Sequence, residues 1–163
     1  MIGKTLIASK LTREGFAPFG DVIEARGAEH FAINEGTSER FNDLANIDVQ
    51  ENGGRVLVNI FRAQAQSRPL LIKALERHPL SSQAFVPLCP MPFLLVVAPP
   101  GDGIDIATLR CFITDGHQGV NYRRGVWHHP LISMEAADFL VIDRGGPGDN
   151  CDVVSLPEKI QIG

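Results

Sequence analysis

The sequence has few of the residues that mark disulfide-rich, zinc-stabilised or membrane-spanning proteins. Its three cysteines, Cys89, Cys111 and Cys151, make an odd number without C-x-x-C spacing, which argues against a disulfide framework and a structural zinc site. The longest apolar stretch, residues 92–100, is far shorter than the roughly 20 residues of a membrane-spanning helix. The N-terminal MIGKTLIASK has no signal-peptide core. We therefore expect a cytoplasmic protein without a membrane partner.

Basic residues are also sparse and scattered. Lys and Arg number 15 against 19 Asp and Glu, and the formal net charge is −4. Because no block of Lys or Arg is present to neutralise a phosphate backbone, a nucleic-acid partner is not expected. The 163 residues are 44% hydrophobic and 21% charged, an ordinary globular composition. This length suits a single domain over residues 1–163.

Short apolar runs alternate with Gly, Pro and Asp clusters along most of the chain, a pattern that predicts many short β-strands. The strands are expected near residues 5–8, 21–24, 56–63, 70–75, 83–88, 93–98, 120–123, 125–133, 138–143 and 151–155. Hairpin-sized gaps without alternating helices favour an antiparallel barrel or jelly roll over a doubly wound sheet. A barrel of this size holds one small ligand against inward-facing polar residues.

Two short accessory helices are expected beside the strands. Thr12 can cap a turn that Pro18 prevents from continuing. Asp105 can cap a second helix over residues 106–114, with Gly116 as its stop. The predicted fold is therefore mostly β, with one or two short helices.

The segment ERHPLSSQAF, residues 76–85, is the first to carry candidate chemistry. Glu76 and His78 lie two positions apart, so their side chains face the same side of a strand, and Gln83 on the returning strand can join them. An acid and a base, or two metal ligands, would then meet at one mouth of the barrel. The alternative is that Glu76 is a solvated rim charge and that His78 only precedes a turn.

The segment GVNYRRGVWHHPL, residues 119–131, contains the only Tyr and the only Trp beside two adjacent histidines. Adjacent residues on a strand point to opposite faces, so at most one of His128 and His129 normally faces the interior, and we predict His128. Tyr122 is a candidate for contact with a ligand. Trp127 either lines the cavity or belongs to the core.

Several arginines are candidates for binding a carboxylate. One of Arg123 and Arg124, if it faces inward, can clamp a carboxylate bidentately. Arg62 lies near the end of an apolar run, where it is either an inward charge or a rim residue. Arg144 opens the loop DRGGPGDNCDVV, residues 143–154. That loop is a plain turn rather than a nucleotide cradle, because no helix follows to receive an anion.

Together these segments resemble the ureidoglycolate lyase family, long described as ureidoglycolate hydrolases. The resemblance spans nearly the whole chain and is more specific than any single motif. It implies a cupin-like β-barrel, a homodimer and a role in breaking down allantoin-derived purine nitrogen. The segments that carry it are ERHPLSSQAF, GVNYRRGVWHHPL, DRGGPGDNCDVV, GFAPFGDVIE and LRCFITDGHQGVNY.

The resemblance also bears on a metal. Ordinary cupins take metal ligands from an H-x-H-x4-E pattern and a later G-x-x-H. Here Glu76, His78 and Gln83 occupy the first pattern, and Gly125 and His128 occupy the second. Glu and Gln in place of His and Glu suit a weaker divalent site, formed by Glu76, His78 and His128. Nickel is the metal that the family implies, and the sequence does not require it.

Ureidoglycolate carries a carboxylate, a hydroxyl and a ureido nitrogen on one carbon. Eliminating urea to leave glyoxylate requires a base for the hydroxyl proton and an acid for the departing nitrogen. We expect His128 or Glu76 as the base, and His78 as the acid or a metal ligand. The residues expected to contact the substrate are Arg62, Gln83, Tyr122, Arg123, Trp127 and Arg144.

Two other functions fit the same residues. An amidohydrolase would attack the urea carbonyl with metal-activated water and release ammonia and carbon dioxide, which needs a tight metal with an open position. A barrel that only binds a small acid would need arginines and amides. It would not need the paired acid and base groups that this sequence supplies.

Overall fold

The computed structural model describes residues 2–163. Within that range there are fifteen strands, one α-helix and three 3-10 turns. The strands are β1 (Ile2–Leu6), β2 (Ser9–Lys10), β3 (Gly20–Ile23), β4 (His30–Ile33), β5 (Ser38–Phe41), β6 (Arg55–Ala63), β7 (Leu70–Arg77), β8 (Gln83–Pro87), β9 (Phe93–Ala98), β10 (Arg110–Ile113), β11 (Gly119–Tyr122), β12 (Trp127–His128), β13 (Ile132–Ser133), β14 (Ala137–Gly145) and β15 (Asp152–Ile162). The helices are α1 (Arg13–Phe16) and the 3-10 turns Asn34–Gly36, Glu51–Gly53 and Ile106–Thr108.

Two sheets form an open barrel. The eight-stranded sheet runs β1-β15-β7-β12-β9-β10-β2, with β13 also paired to β9, and the five-stranded sheet runs β3-β11-β8-β14-β6. Strands pair antiparallel except at the two ends of the larger sheet, where β1 runs parallel to β15 and β2 runs parallel to β10. The mostly β, cupin-like barrel predicted from the sequence is therefore confirmed.

Two apolar clusters cover the opposite faces of β9, and all six residues of that strand are buried. Phe93, Leu95 and Val97 belong to the cluster that also contains residues of the five-stranded sheet, so this cluster fills the space between the sheets. The alternate residues of β9 belong to a second cluster on the far side. Phe93 and Phe139 meet edge to face between the two sheets, with ring centroids 5.2 Å apart.

The helix predictions are half right. Thr12 caps α1 by accepting a hydrogen bond from the backbone N–H of Gly15, and the helix ends before Pro18 as expected. Asp105 caps only a single 3-10 turn, and the helix predicted over residues 106–114 is wrong. No helix in the described range 2–163 has the length and apolarity needed to cross a membrane.

The residues that follow this 3-10 turn form β10, paired antiparallel with β9. Cys111 packs into the second cluster, whereas Phe112 packs into the cluster between the sheets. Neighbouring side chains of this segment are therefore buried on opposite faces, as in a strand.

The strand predictions need four corrections. The strand expected over residues 5–8 ends at Leu6 as β1, and the strand expected over residues 151–155 continues to Ile162 as β15. The strand expected over residues 125–133 is divided into β12 and β13, with Pro130 in the gap between them. The hairpin of β4 and β5 was not predicted. Its tip uses positive φ angles at Asn34 (53°) and Glu35 (58°), and its side chains are largely exposed, so it lacks the apolar alternation of a half-buried strand.

An irregularity in β15, opposite the middle of β7, accompanies a change in the direction of the β7 side chains. The pairing of β7 with β15 shifts register between Ser155 and Ile160. Ile72 and Leu75, three positions apart, consequently pack into the same second cluster. Glu76 then points the other way, into the space between the two sheets.

Candidate active site

Glu76, His78 and His128 form a compact cluster between the two sheets, with one possible ligand atom from each lying within 4.8 Å of the others. Glu76 on β7 and His128 on β12 are direct cross-strand partners. The Oε1 atom of Glu76 lies 3.5 Å from Nε2 of His128 and 3.9 Å from Nε2 of His78. One carboxylate oxygen therefore faces both imidazole rings.

Both rings are oriented by the main chain. Nδ1 of His128 donates to the carbonyl of Val126 at 2.9 Å, and Nδ1 of His78 donates to the carbonyl of Asn150 at 2.6 Å. These contacts turn both Nε2 atoms toward Glu76. Nε2 of His128 is buried and makes no hydrogen bond of good geometry with any of residues 2–163, in spite of the nearby carboxylate. In the neutral ring this atom carries a free lone pair, suited to taking a proton or binding a metal.

His128 is almost wholly buried, with 1% of its surface exposed. The ring stacks on Tyr122, with centroids 4.2 Å apart and planes 10° from parallel. Burial lowers the pKa of His128, and the neighbouring Glu76 only partly offsets this. Burial also raises the pKa of the Tyr122 phenol, so the stacked partner is uncharged. His128 is therefore held in its neutral, basic form.

Glu76 stays ionised beside these rings. Its interaction with the imidazole of His128 lowers the pKa of Glu76, against the opposing effect of partial burial. The second carboxylate oxygen, Oε2, accepts a weak hydrogen bond from the thiol of Cys151 at 3.8 Å. The carboxylate is thus fixed between two imidazoles on one side and a thiol on the other.

Gln83 reaches the cluster from the five-stranded sheet. Its Oε1 lies 3.0 Å from Nε2 of His78, and its amide N–H donates to Oδ2 of Asp143 at 3.4 Å. The other carboxylate oxygen of Asp143 accepts from the amide of Asn59 at 3.0 Å. Sequence reasoning placed Gln83 here, but it missed Asn59 and Asp143.

The loop that follows β14 contributes more than sequence reasoning predicted. Its segment was interpreted as a plain turn, yet Asn150 orients His78 through its carbonyl and Cys151 contacts Glu76. Asn150 also holds the turn after His78, because its side chain accepts from the backbone N–H of Leu80 at 2.8 Å. The density of Asp, Asn and Gly in this segment was the available signal.

The candidate arginines bind elsewhere in the described part of the chain. Arg62 forms a two-point ion pair with Asp138 on the outer face of the barrel. Arg123 donates to two backbone carbonyls near α1, and Arg124 pairs with two acidic side chains. Arg144 is buried and donates to three backbone carbonyls of neighbouring loops. Their guanidinium groups are occupied outside the cluster, so the structure does not bring the expected carboxylate clamp to it.

Trp127 also lies away from the cluster, because strand alternation turns it opposite to His128. It packs in the second apolar cluster, and its indole N–H donates to the carbonyl of Gly101 at 3.0 Å. The guanidinium of Arg77 lies over the ring, 4.7 Å from its centroid. His129 is not one of the three clustered residues, and it donates from Nδ1 to the carbonyl of Pro130. The core interpretation of Trp127 fits this placement.

We expect the stability of the fold to fall as the pH drops below neutral. His128 has a folded-state pKa below its ordinary 6.5, so the unfolded chain takes up a proton that the folded chain does not, and the free energy of unfolding decreases below about pH 6.5. Replacing His128→Asn should remove part of this dependence. Urea unfolding at about pH 7.5 and about pH 5.5 measures it, with exposed His117→Asn as the control. Equal pH dependence in wild type and His128→Asn would contradict the expectation.

An open β-barrel with two histidines and a glutamate inside it is typical of the cupin-like class of small-molecule enzymes. A family model described as ureidoglycolate lyase matches residues 3–163. A protein named ureidoglycolate lyase from Burkholderia mallei (strain NCTC 10229) is 57% identical over 160 residues, covering 98% of this chain and 94% of the relative. A protein of the same name from Pseudomonas entomophila (strain L48) is 52% identical over 157 residues, covering 96% of this chain and 94% of the relative. The chain belongs to the ureidoglycolate lyase family.

Proposed function

We propose that this protein is a lyase that cleaves ureidoglycolate to glyoxylate and urea. Family membership supports the reaction, and the observation that carries it is the free, buried Nε2 of His128 beside an ionised Glu76 and a second imidazole. These groups are what an elimination needs, because one proton must be removed and another supplied. The activity belongs to the breakdown of allantoin-derived purine nitrogen.

His128 is the base in this proposal. Its Nε2 takes the proton of the substrate hydroxyl, and the O–H electrons form the C=O bond of glyoxylate. The C–N bond breaks at the same carbon, and its electrons pass to the ureido nitrogen. Glu76 stabilises the imidazolium that forms, since its Oε1 lies 3.5 Å away. A proton delivered to the nitrogen completes urea.

His78 supplies that proton. Its Nδ1 faces the carbonyl of Asn150, and its Nε2 faces Oε1 of Gln83. Both oxygens only accept hydrogen bonds, so a ring with two N–H groups satisfies both. With an N–H group at Nε2, the ring is the acid for the leaving nitrogen.

A divalent metal held by Glu76, His78 and His128 is also part of the proposal. The residues fit such a group, because each histidine uses Nδ1 for a main-chain carbonyl and leaves Nε2 toward Glu76, as metal-binding histidines do. When bound, the metal would act as a Lewis acid. At His78 it competes with a proton and with the contact to Gln83. We therefore propose modest affinity, with nickel as the metal that the family resemblance implies.

We expect chelation to lower activity only in part. The proton-transfer groups of the cluster belong to the chain itself, and a metal of modest affinity adds to them without replacing them. Activity is measured before and after dialysis against a chelator, and again after each divalent metal is restored. Complete loss that a metal reverses would contradict this expectation and favour hydrolysis by metal-activated water.

Product analysis tests the proposed reaction. Purified protein is incubated with ureidoglycolate, and urea, ammonia and glyoxylate are quantified over time. Equal amounts of urea and glyoxylate, without ammonia, are expected. Ammonia in place of urea would identify an amidohydrolase, and the absence of all three would identify a binding protein without catalysis. Either result would overturn the lyase proposal.

We also propose a cytoplasmic homodimer, with the outer face of β6 as the interface. Val56, Val58 and Ile60 alternate on this face and are 50%, 67% and 54% exposed. Leu140 and Ile142 of β14 lie opposite Ile60 and Val58, which extends the apolar surface. β6 is also an edge strand, with unpaired backbone groups. A second copy covers such a self-complementary surface by two-fold symmetry.

Sedimentation tests this assembly. The wild-type protein should sediment as a dimer at micromolar concentration, and Val58→Glu should sediment as a monomer, because a charge in an apolar interface loses its hydration. Ile7→Glu is the matched control, since Ile7 is 72% exposed and lies between β1 and β2, which belong to the other sheet. A monomeric wild type would contradict the proposal, as would a Val58→Glu variant that stays dimeric.

A further inference from the structure

We infer that Asp143 and Asn59 are positioning residues that fix the amide of Gln83, so that its carbonyl oxygen and not its NH2 group faces His78. The inference rests on the proposed function for its effect on catalysis. The arrangement itself follows from hydrogen bonding, because Asp143 can only accept and Gln83 can both donate and accept.

The chain of contacts crosses three neighbouring strands of the five-stranded sheet. Asn59 on β6, Asp143 on β14 and Gln83 on β8 all point toward the other sheet. Asn59 donates to one oxygen of Asp143 at 3.0 Å, and Gln83 donates to the other at 3.4 Å. Gln83 is 5% exposed, so water competes little for its amide. Oε1 of Gln83 then ends the chain, 3.0 Å from Nε2 of His78.

Only one orientation of the Gln83 amide gives every hydrogen bond in this series both a donor and an acceptor. If the amide of Gln83 were turned over, its oxygen would face the carboxylate of Asp143, and two acceptors would meet without a proton between them. Asn59 keeps Asp143 from turning away, because its N–H group occupies the second carboxylate oxygen. Asp143 therefore decides which end of the Gln83 amide reaches the site, although Asp143 does not itself contact Glu76, His78 or His128.

The orientation matters for the proposed elimination. An acceptor oxygen beside Nε2 of His78 orients the N–H group that is to be given to the departing urea. A turned amide would present N–H groups to the same atom and occupy its lone pair instead. Nε2 of His78 would then lose the acceptor that orients its N–H group, while the pocket around the substrate stays the same. Loss of Asp143 should therefore reduce kcat much more than it changes KM.

The kinetic test changes which end of the Gln83 amide faces His78. Asp143→Asn should lower kcat by about 10- to 100-fold, the range for partners that orient a functional histidine, with KM nearly unchanged. The double variant Asp143→Asn with Gln83→Glu restores an acceptor beside His78, because the amide introduced at position 143 can donate to the carboxylate introduced at position 83. It should recover most of the lost kcat, whereas Gln83→Glu alone places two carboxylates together and should not. Asp138→Asn, on the outer face of the same strand, is the control and should retain wild-type activity.

A readout without substrate separates this inference from the proposed function. In wild-type protein, NMR should show only weak cross-relaxation between the side-chain NH2 protons of Gln83 and the ring protons of His78, because the amide oxygen faces the ring. Asp143→Asn should turn the amide over and strengthen that signal. The same spectrum in both proteins would overturn the inference whether or not ureidoglycolate is cleaved, and so would full activity of Asp143→Asn. An inactive wild type with the expected spectral change would overturn the proposed function alone.

Discussion

Replacing His128→Asn should lower turnover of ureidoglycolate by roughly 10²- to 10⁴-fold, the range for loss of a positioned proton-transfer group. Asn is close in size and keeps a polar group near Val126, but it cannot take a proton at neutral pH. The ring of His128 is buried against Tyr122 and has a free Nε2, so no water replaces it easily. Circular dichroism checks that the variant is folded.

His129→Asn is the matched control for this result. The two histidines are neighbours in sequence, and strand alternation turns only His128 toward Glu76. His129 lies outside the cluster, with Nδ1 bonded to the carbonyl of Pro130. Its replacement should cost far less activity. Equal losses in the two variants would contradict the assignment of the base, and a larger loss at His129 would place the chemistry on the other face of β12.

Replacing Glu76→Gln should have an effect of similar size, roughly 10²- to 10⁴-fold on kcat. The variant removes the charge that stabilises the imidazolium of His128. It also introduces an amide N–H group next to Nε2 of His128, at the position where the carboxylate oxygen lies 3.5 Å away. Donation from this amide would occupy the lone pair that the reaction needs. Both changes act on the same base, so the loss should exceed that of a surface substitution by orders of magnitude.

Glu76→Asp separates the two effects. It keeps the charge and adds no donor, so it should retain more activity than Glu76→Gln even though its carboxylate lies further from the rings. Glu14→Gln, at an exposed position of α1, is the control for removal of a negative charge. Steady-state kinetics of the three variants, with urea as the measured product, checks the order. A Glu76→Gln variant within a few-fold of wild type would refute a role for this carboxylate.

The strands and the central residues were readable because they depend on local periodicity. Glu76 and His78 sit two apart at the end of an apolar run, and His128 is selected over His129 by alternation. The segment 106–114 misled because Leu109, Phe112 and Ile113 also fit one face of a helix. Pairing with β9 makes residues 110–113 a strand. A partner this distant in sequence cannot be recognised from the residues of the segment alone.

The residues that surround the central cluster could not be predicted, because their contacts are also distant in sequence. Asn59 and Asp143 are 84 positions apart, and His78 and Asn150 are 72 apart. Each looks ordinary in its own segment: a polar residue in a strand, or an Asn in a turn. The arginines show the reverse error. Arg62 and Arg144 stood out as charges in apolar or Gly-rich surroundings, yet their partners are a surface carboxylate and main-chain carbonyls.

The buried guanidinium of Arg144 ties the loop after β14 to the 3-10 turn Glu51–Gly53, because it donates to the carbonyls of Glu51, Asn52 and Pro147. The same loop carries the carbonyl that orients His78. Its conformational entropy is therefore lost when the chain folds and not when the substrate arrives, so binding energy need not be spent on ordering it. The sequence indicated Arg144 as a residue that binds the substrate carboxylate. In the structure it preorganises the site by holding the loop that orients His78.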